Sequence, residues 1–217
     1  MGIGVKTMKR YFTYSLFIFL ILFLLISFYL THNFLTRNVH TVIPGMIYRS
    51  AQLNHAELIA YQQKFHLKSM IDLRGSWPTN HWYRVESRFA KQQALHYYPI
   101  QFEAYLPPPR KQLRTLVRVL QTAPKPLLFH CEGGADRTGM AAAISVILFV
   151  PHPSIAMIQQ QVSWRYNAIS KKTVGYQMLR NYFAWLKQHH YTSSKSRFLE
   201  WVNSDVPMKT YQGWFFL

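Results

Sequence analysis

The sequence predicts an α/β fold, a central and mostly parallel sheet flanked by helices, preceded by one N-terminal transmembrane helix. Three observations carry this expectation. Between residues 42 and 191, short apolar runs of strand length alternate with longer stretches of helical spacing. One such run, Pro126-Leu127-Leu128-Phe129, leads through a glycine-rich loop into the apolar stretch Met140–Phe149, the order of a buried strand, a tight loop and a buried helix. Residues 11–30 carry no charge, and an uncharged helix of that length spans a bilayer core of about 30 Å.

Lys6, Lys9 and Arg10 precede the apolar run, and Arg37 is the first firm cation after it. The positive-inside bias then places residues 1–10 in the cytoplasm and the rest of the chain beyond the membrane, in the periplasm if the source is Gram-negative. A cleaved signal peptide competes with this, but the run is long and no small-x-small site follows, so 11–30 is read as a retained anchor. Residues 31–41 are a short polar linker, residues 42–191 the globular domain and residues 192–217 a tail with Trp201, Tyr211, Trp214, Phe215 and Phe216. That tail could rest in a bilayer interface or pack back on the domain, and physical grounds rank the two evenly.

Within the domain, Val42–Gln52 reads as two strands around a Pro44-Gly45 turn. Asn54 with Glu57 is a capping-box pattern for a helix reaching about Phe65. Ser69–Arg74 is a buried strand ending at Gly75, and Asp72 with Arg74 at its end form an ion pair or loop anchor in preference to active-site neighbours. A helix over 80–94 carries Arg84, Arg88 and Lys91 on a solvated face, and 96–100 is the next strand. Residues 101–109 form a loop stiffened by Pro107, Pro108 and Pro109, and 110–122 is a basic helix. Beyond the glycine loop, helices are expected over 155–166, with Ser154 as N-cap, and over 173–187.

Composition bounds the chemistry. Apolar residues make up 49% of the 217, enough to build a full core. The net charge of +17, from 25 Lys and Arg against 8 Asp and Glu, attracts anions of any kind: phosphorylated proteins, acidic lipids or nucleic acid. A nucleic-acid binder is disfavoured by the membrane segment and by the lack of a recognisable motif. The single cysteine excludes an intrachain disulfide framework, and the ten histidines are scattered, with no metal-ligand spacing. The sequence carries no signal for oligomeric state.

The chemistry concentrates in His130-Cys131-Glu132-Gly133-Gly134-Ala135-Asp136-Arg137-Thr138-Gly139. A glycine loop between a strand and a helix N-terminus is an anion cradle, with backbone N–H groups and the positive helix end converging on one point. The helix end and Arg137 both favour the thiolate of Cys131, which faces a bound phosphate as a nucleophile. Arg137 has the planar fork to grip two phosphate oxygens. Only eight acids exist in the chain, and Glu132 and Asp136 stand in this loop.

This stretch resembles the phosphate-binding signature of the cysteine-dependent protein tyrosine and dual-specificity phosphatases, His-Cys-x-x-Gly-x-x-Arg-Thr-Gly. Gly134–Gly139 is closest to bacterial members whose loop reads Gly-Lys-Asp-Arg-Thr-Gly. Tyr48-Arg49-Ser50 and Val162–Tyr166 resemble further segments of the same bacterial group, so the likeness covers roughly 40–190. The resemblance implies a tyrosine/dual-specificity phosphatase-like fold over 42–191 and a phosphocysteine intermediate on Cys131. It further implies phosphate binding by the backbone of Glu132, Gly133, Gly134, Ala135, Asp136 and Arg137, a hydrogen bond from Thr138 to the thiolate, and no metal or cofactor. The leaving oxygen needs a proton, and two acids are candidates: Asp136, which relatives with an Asp-Arg-Thr signature use, and Glu103, in the loop where the family usually has Asp. Asp136 is preferred. Ala135 stands where the phosphoinositide-type relatives carry Lys, which disfavours polyphosphorylated inositol and leaves phosphoproteins and lipid phosphates as substrates. Two other readings compete: a phosphate-binding module without turnover, which would not need the thiol, and an RNA 5′-phosphatase.

Overall fold

The computed structural model describes residues 3–216, with side chains from residue 7. The chain divides into two compact units, Met1–Thr36 and Arg37–Leu217. The first is one helix, α1 (Ile3–Leu35), whose segment Thr7–Leu35 is long and apolar enough to cross a membrane.

The second unit is a five-stranded sheet with helices on both faces. Its strands are β1 (His40–Ile43), β2 (Ile47–Ser50), β3 (Ser69–Asp72), β4 (His96–Pro99) and β5 (Leu127–His130). They lie in the order β1-β2-β5-β3-β4, with β1 antiparallel to β2 and every other pairing parallel. β5 sits at the centre with all four residues buried, as expected for a strand covered on both faces. The register sets His130 level with Ser50 on one side and Asp72 on the other, so three strands end together beneath the glycine loop.

Alternation along the strands sorts two cores. Met70 and Leu128 point to the face covered by α2 (His55–Phe65) and α3 (His81–Gln92), where they meet Leu58, Phe89 and Ala90. Ile71, Leu127 and Phe129 point to the larger core formed with α4 (Arg110–Thr122), α5 (Asp136–Phe149), α7 (Val174–Gln188) and α8 (Lys195–Asn203). α5 is apolar all round, and Met140 to Ile144 are wholly inaccessible, which makes it the central helix of that face. The expected capping box on α2 is present: Asn54 accepts from Glu57 N at 2.9 Å and Glu57 accepts from Asn54 N at 2.7 Å.

Three elements differ from the sequence-based expectation. α5 begins at Asp136, inside the signature, because Gly139 N already bonds Ala135 O at 2.7 Å. The helix expected over 155–166 stops early: α6 covers Ile155–Gln160, and a single 3-10 turn follows at Trp164–Tyr166. The break presents the Gln161 carbonyl to the buried Arg49 at 3.0 Å and lets it approach Gly139, where a Cβ would sit 2.8 Å from that oxygen. Finally, residues 195–203 of the stretch read as a tail form α8. Ser194 caps it, and Phe198, Trp201 and Val202 are buried at helical spacing. Arg110 stacks on Trp201 with its guanidinium 4.4 Å from the ring centre and donates to Trp201 O at 2.6 Å, so this cation of α4 is a packing residue.

Candidate active site

Cys131 follows the last residue of β5 and is 2% exposed. The chain then turns through Glu132, Gly133, Gly134 and Ala135 into the first turn of α5. The turn needs Gly134: its φ is +67°, and a Cβ there would lie 2.5 Å from Ala51 N and 2.8 Å from Ser50 O. Thr138, wholly buried in that first helical turn, donates from Oγ1 to Cys131 Sγ at 3.1 Å.

The loop carbonyls face outward and are held there. Glu132 O accepts from Gln52 N at 3.0 Å, Gly133 O from Asn38 Nδ2 at 3.3 Å, and Gly134 O from Asn38 Nδ2 at 3.2 Å and Arg49 Nη2 at 3.0 Å. A trans peptide sets its N–H opposite its C=O, so fixing these oxygens turns the N–H groups of Gly133, Gly134 and Ala135 to the other side, into the concavity. The donors of the cradle are thus aligned before any anion arrives.

Arg49 and Asn38 form this clasp, and the sequence does not announce either role. Arg49 is wholly buried, spans Gly134 O and Gln161 O, and lies 3.9 Å from the centre of the Tyr166 ring. Burial lowers its pKa to about 10, against the opposing pull of Tyr166 and Cys131, and it stays charged at neutral pH. Asn38, in the stretch read as a linker, is fully buried in a left-handed conformation with φ of 50° and also donates to Tyr166 O at 3.0 Å. Arg49→Met keeps the volume but takes the arginine from Gln161 O and leaves Gly134 O with Asn38 alone. It is expected to cost about 3 kcal/mol and to lower the melting temperature by roughly 10 °C, read by calorimetry.

Arg137 lines a cleft of about 330 Å³ together with Glu132, Glu103, Gln52 and Arg74, walled by Trp77 and Trp82. Its buried Nε has no hydrogen-bond partner among the described residues, a donor open to a phosphate oxygen. Glu103 is solvent-exposed on the rim. Asp136 stands half-buried at the start of α5 and is not part of that cleft wall. Burial raises its pKa to about 6, with Arg137 pulling the other way, so its proton is retained far above the ordinary carboxylate range.

Beneath the loop lies a buried polar cluster. Asp72 Oδ1 accepts from Arg74 N at 2.9 Å and Nε at 3.1 Å, while Arg74 Nη1 donates to Gln52 Oε1 at 2.7 Å. Arg74 Nη2 is 3.5 Å from Glu86 Oε1, and Glu86 Oε2 is 3.4 Å from His130 Nε2. Burial holds the Glu86 carboxyl above its usual range, with His130 and Arg74 opposing and Asp72 adding to the rise. Asp72, Glu86 and His130 converge as metal ligands would. Arg74 already brings a cation to both carboxylates, however, so the group is a charge-matched support that ties β3 and α3 to the strand that leads into Cys131. Arg74 is therefore both the expected ion-pair partner and a wall of the cleft, with its guanidinium 3.6 Å from the centre of the Trp82 ring.

A thiol at a strand end, a preorganised N–H cradle and an arginine on the following helix are the parts of a cysteine-dependent phosphatase. The chain belongs to the tyrosine phosphatase family, whose model matches residues 32–156. Its fold is similar to the core catalytic domain of the PP-IP phosphatase Siw14 from S. cerevisiae in complex with citrate. The TM-score is 0.53 at 20% identity, covering 70% of this chain and 93% of that one. TpbA from P. aeruginosa, in complex with pTyr, gives a TM-score of 0.48 at 18% identity over 61% of this chain and 76% of its own. At such identities the likeness is one of fold. No curated protein matches the sequence.

Proposed function

We propose that this chain is a membrane-anchored phosphomonoesterase of the phosphotyrosine and dual-specificity type that works through a phosphocysteine on Cys131. The observation that carries the proposal is the 3.1 Å hydrogen bond from Thr138 Oγ1 to Sγ inside a cradle whose outward carbonyls are already bonded. In the first step the thiolate attacks phosphorus, the P–O bond to the leaving group breaks, and Asp136 delivers its proton to the departing oxygen. The loop N–H groups and Arg137 hold the charge on the equatorial oxygens. In the second step Asp136, now ionised, takes a proton from water as the water attacks phosphorus. The S–P bond breaks, and Thr138 stabilises the thiolate that leaves. Asp136 is preferred to Glu103 because burial holds its proton up to about pH 6, whereas Glu103 is exposed.

Ala135 and Glu132 add no positive charge beside the cradle, which supports a single phosphate on a protein or lipid substrate in preference to a polyphosphorylated one. Acid-quenching the full-length protein in detergent during p-nitrophenyl phosphate turnover, with EDTA and a reducing agent, tests the reading. The peptide containing Cys131 should carry the mass of one phosphoryl group. Turnover with no modified Cys131, or no turnover between about pH 5 and 8, rejects it.

Lys6, Lys9 and Arg10 ahead of the apolar helix support a cytoplasmic N-terminus and an extracytoplasmic domain. Protease added outside intact spheroplasts should degrade the domain, and complete protection reverses the orientation.

A further inference from the structure

Three separated segments are fastened into one surface by Gln177, a residue 1% exposed on α7. Its Nε2 donates to Tyr105 O at 2.9 Å and Lys172 O at 2.6 Å, and its Oε1 accepts from Tyr211 N at 2.9 Å. Lys171 N donates to Phe215 O at 2.8 Å, and Ser170 bridges to Phe216, which pins the C-terminal stretch along residues 170–171.

The side chains this arrangement leaves outside are apolar. Trp214 is 73% exposed, Tyr105 57%, Leu106 54% and Phe216 51%, and Ile169, next to Ser170 in the chain, is 49% exposed. Exposure of large aromatic side chains at one place marks an interaction surface. Lys171 and Lys172 lie within the fastened segments, no acid stands between Asp136 and Glu200 or after Asp205, and the acid nearest Tyr105 in sequence is Glu103, two residues before it. Tryptophan and phenylalanine beside lysine suit the headgroup boundary of an acidic bilayer. On the anchored reading the second unit is tethered directly to the bilayer, because α1 ends at Leu35 and that unit begins at Arg37.

We propose that this aromatic and basic surface seats in the interface of an acidic phospholipid bilayer. The inference rests on the membrane-anchored reading above. It has a consequence for the site: Glu103, on the rim of the cleft with Arg137, is two residues from Tyr105, and Ala104 between them accepts from Val174 N at 2.8 Å. Seating Tyr105 and Leu106 in the interface brings the mouth of the cleft to the depth of lipid headgroups.

The test uses the full chain carrying Cys131→Ser and Gln212→Cys, with an environment-sensitive dye on the new cysteine; Gln212 is exposed between Tyr211 and Trp214. The protein is reconstituted into phosphatidylcholine vesicles with one third phosphatidylglycerol, and acrylamide quenching is measured. The expected result is quenching at least about threefold weaker than in pure phosphatidylcholine. Adding Trp214→Ser and Phe216→Ser should abolish the difference. Equal quenching in both lipids overturns the inference. So does shielding that appears in detergent alone and grows with protein concentration, which would assign the surface to a second copy. Carbonate extraction separates the two readings. If the chain is extracted, the anchor reading falls and the dye is read with vesicles merely added: lipid-dependent shielding still supports the surface, and none overturns it.

Discussion

Cys131→Ser is expected to lower turnover of p-nitrophenyl phosphate at least about 10⁴-fold. A serine hydroxyl is not ionised at neutral pH, and neither the positive helix end nor Arg137 brings it within reach of ionisation. The change is near-isosteric: Cys131 is 2% exposed, and its hydrogen bond from Thr138 Oγ1, at 3.1 Å, is available to an oxygen as well. The melting temperature should therefore stay within a degree or two of wild type, on the scale of near-isosteric changes. Affinity for inorganic phosphate should survive, because the N–H cradle and Arg137 are untouched. A variant that binds phosphate and does not turn over separates chemistry from binding. A variant retaining a tenth of the activity would remove Cys131 from the mechanism.

Asp136→Asn should act on two observables with opposite signs. For phenyl phosphate, a poor leaving group, kcat/KM is expected to fall about 10²–10³-fold, because the departing oxygen loses its proton donor. The loss should be smaller for p-nitrophenyl phosphate, whose leaving group departs without much help. The acid works in its protonated form, and its pKa is raised to about 6, so wild-type kcat/KM should decline as pH rises through that value. The decline should vanish in the variant. Glu103→Gln should leave the limb in place; if it removes the limb instead, the exposed glutamate is the acid.

Stability moves the other way. The folded state holds the Asp136 proton up to about pH 6, whereas the ordinary value is 3.8. Between those values the unfolded chain binds fewer protons, so stability falls as pH rises through the window, and the whole penalty is present above it. A shift of that size is worth on the order of 2–3 kcal/mol. Asparagine removes the buried charge, and the melting temperature at pH 7.5 should rise by roughly 5 °C, with no gain near pH 4.

The signature was legible because its chemistry is local: nucleophile, loop, arginine and threonine stand within nine residues, and the flanking strand and helix are apolar enough to recognise. The α/β class was legible for the same reason, since each strand and helix carries its own period. What could not be read is whatever depends on a partner far along the chain. Arg49 in a strand looks like a solvated position, yet it is wholly buried, 85 residues from the carbonyl of Gly134 that it holds. Glu86 sits on a helix whose Arg84, Arg88 and Lys91 suggest solvent, and only the fold shows it 1% exposed beside His130. α8 was obscured by the polar Thr192-Ser-Ser-Lys-Ser run before it, although Ser194 and the spacing of Phe198, Trp201 and Val202 were the signals that could have found it. The early end of α6 has no local signal either, and the carbonyl it presents, that of Gln161, is met by Arg49 from a distant strand.

The solitary thiol has an oxidative consequence. Peroxide converts a thiolate to a sulfenic acid, which many redox-sensitive enzymes rescue by condensing it with a resolving cysteine nearby. None of the other 216 residues is a cysteine. An oxidised Cys131 would therefore depend on thiols supplied from solution for its reduction, since the chain holds no second cysteine to resolve it.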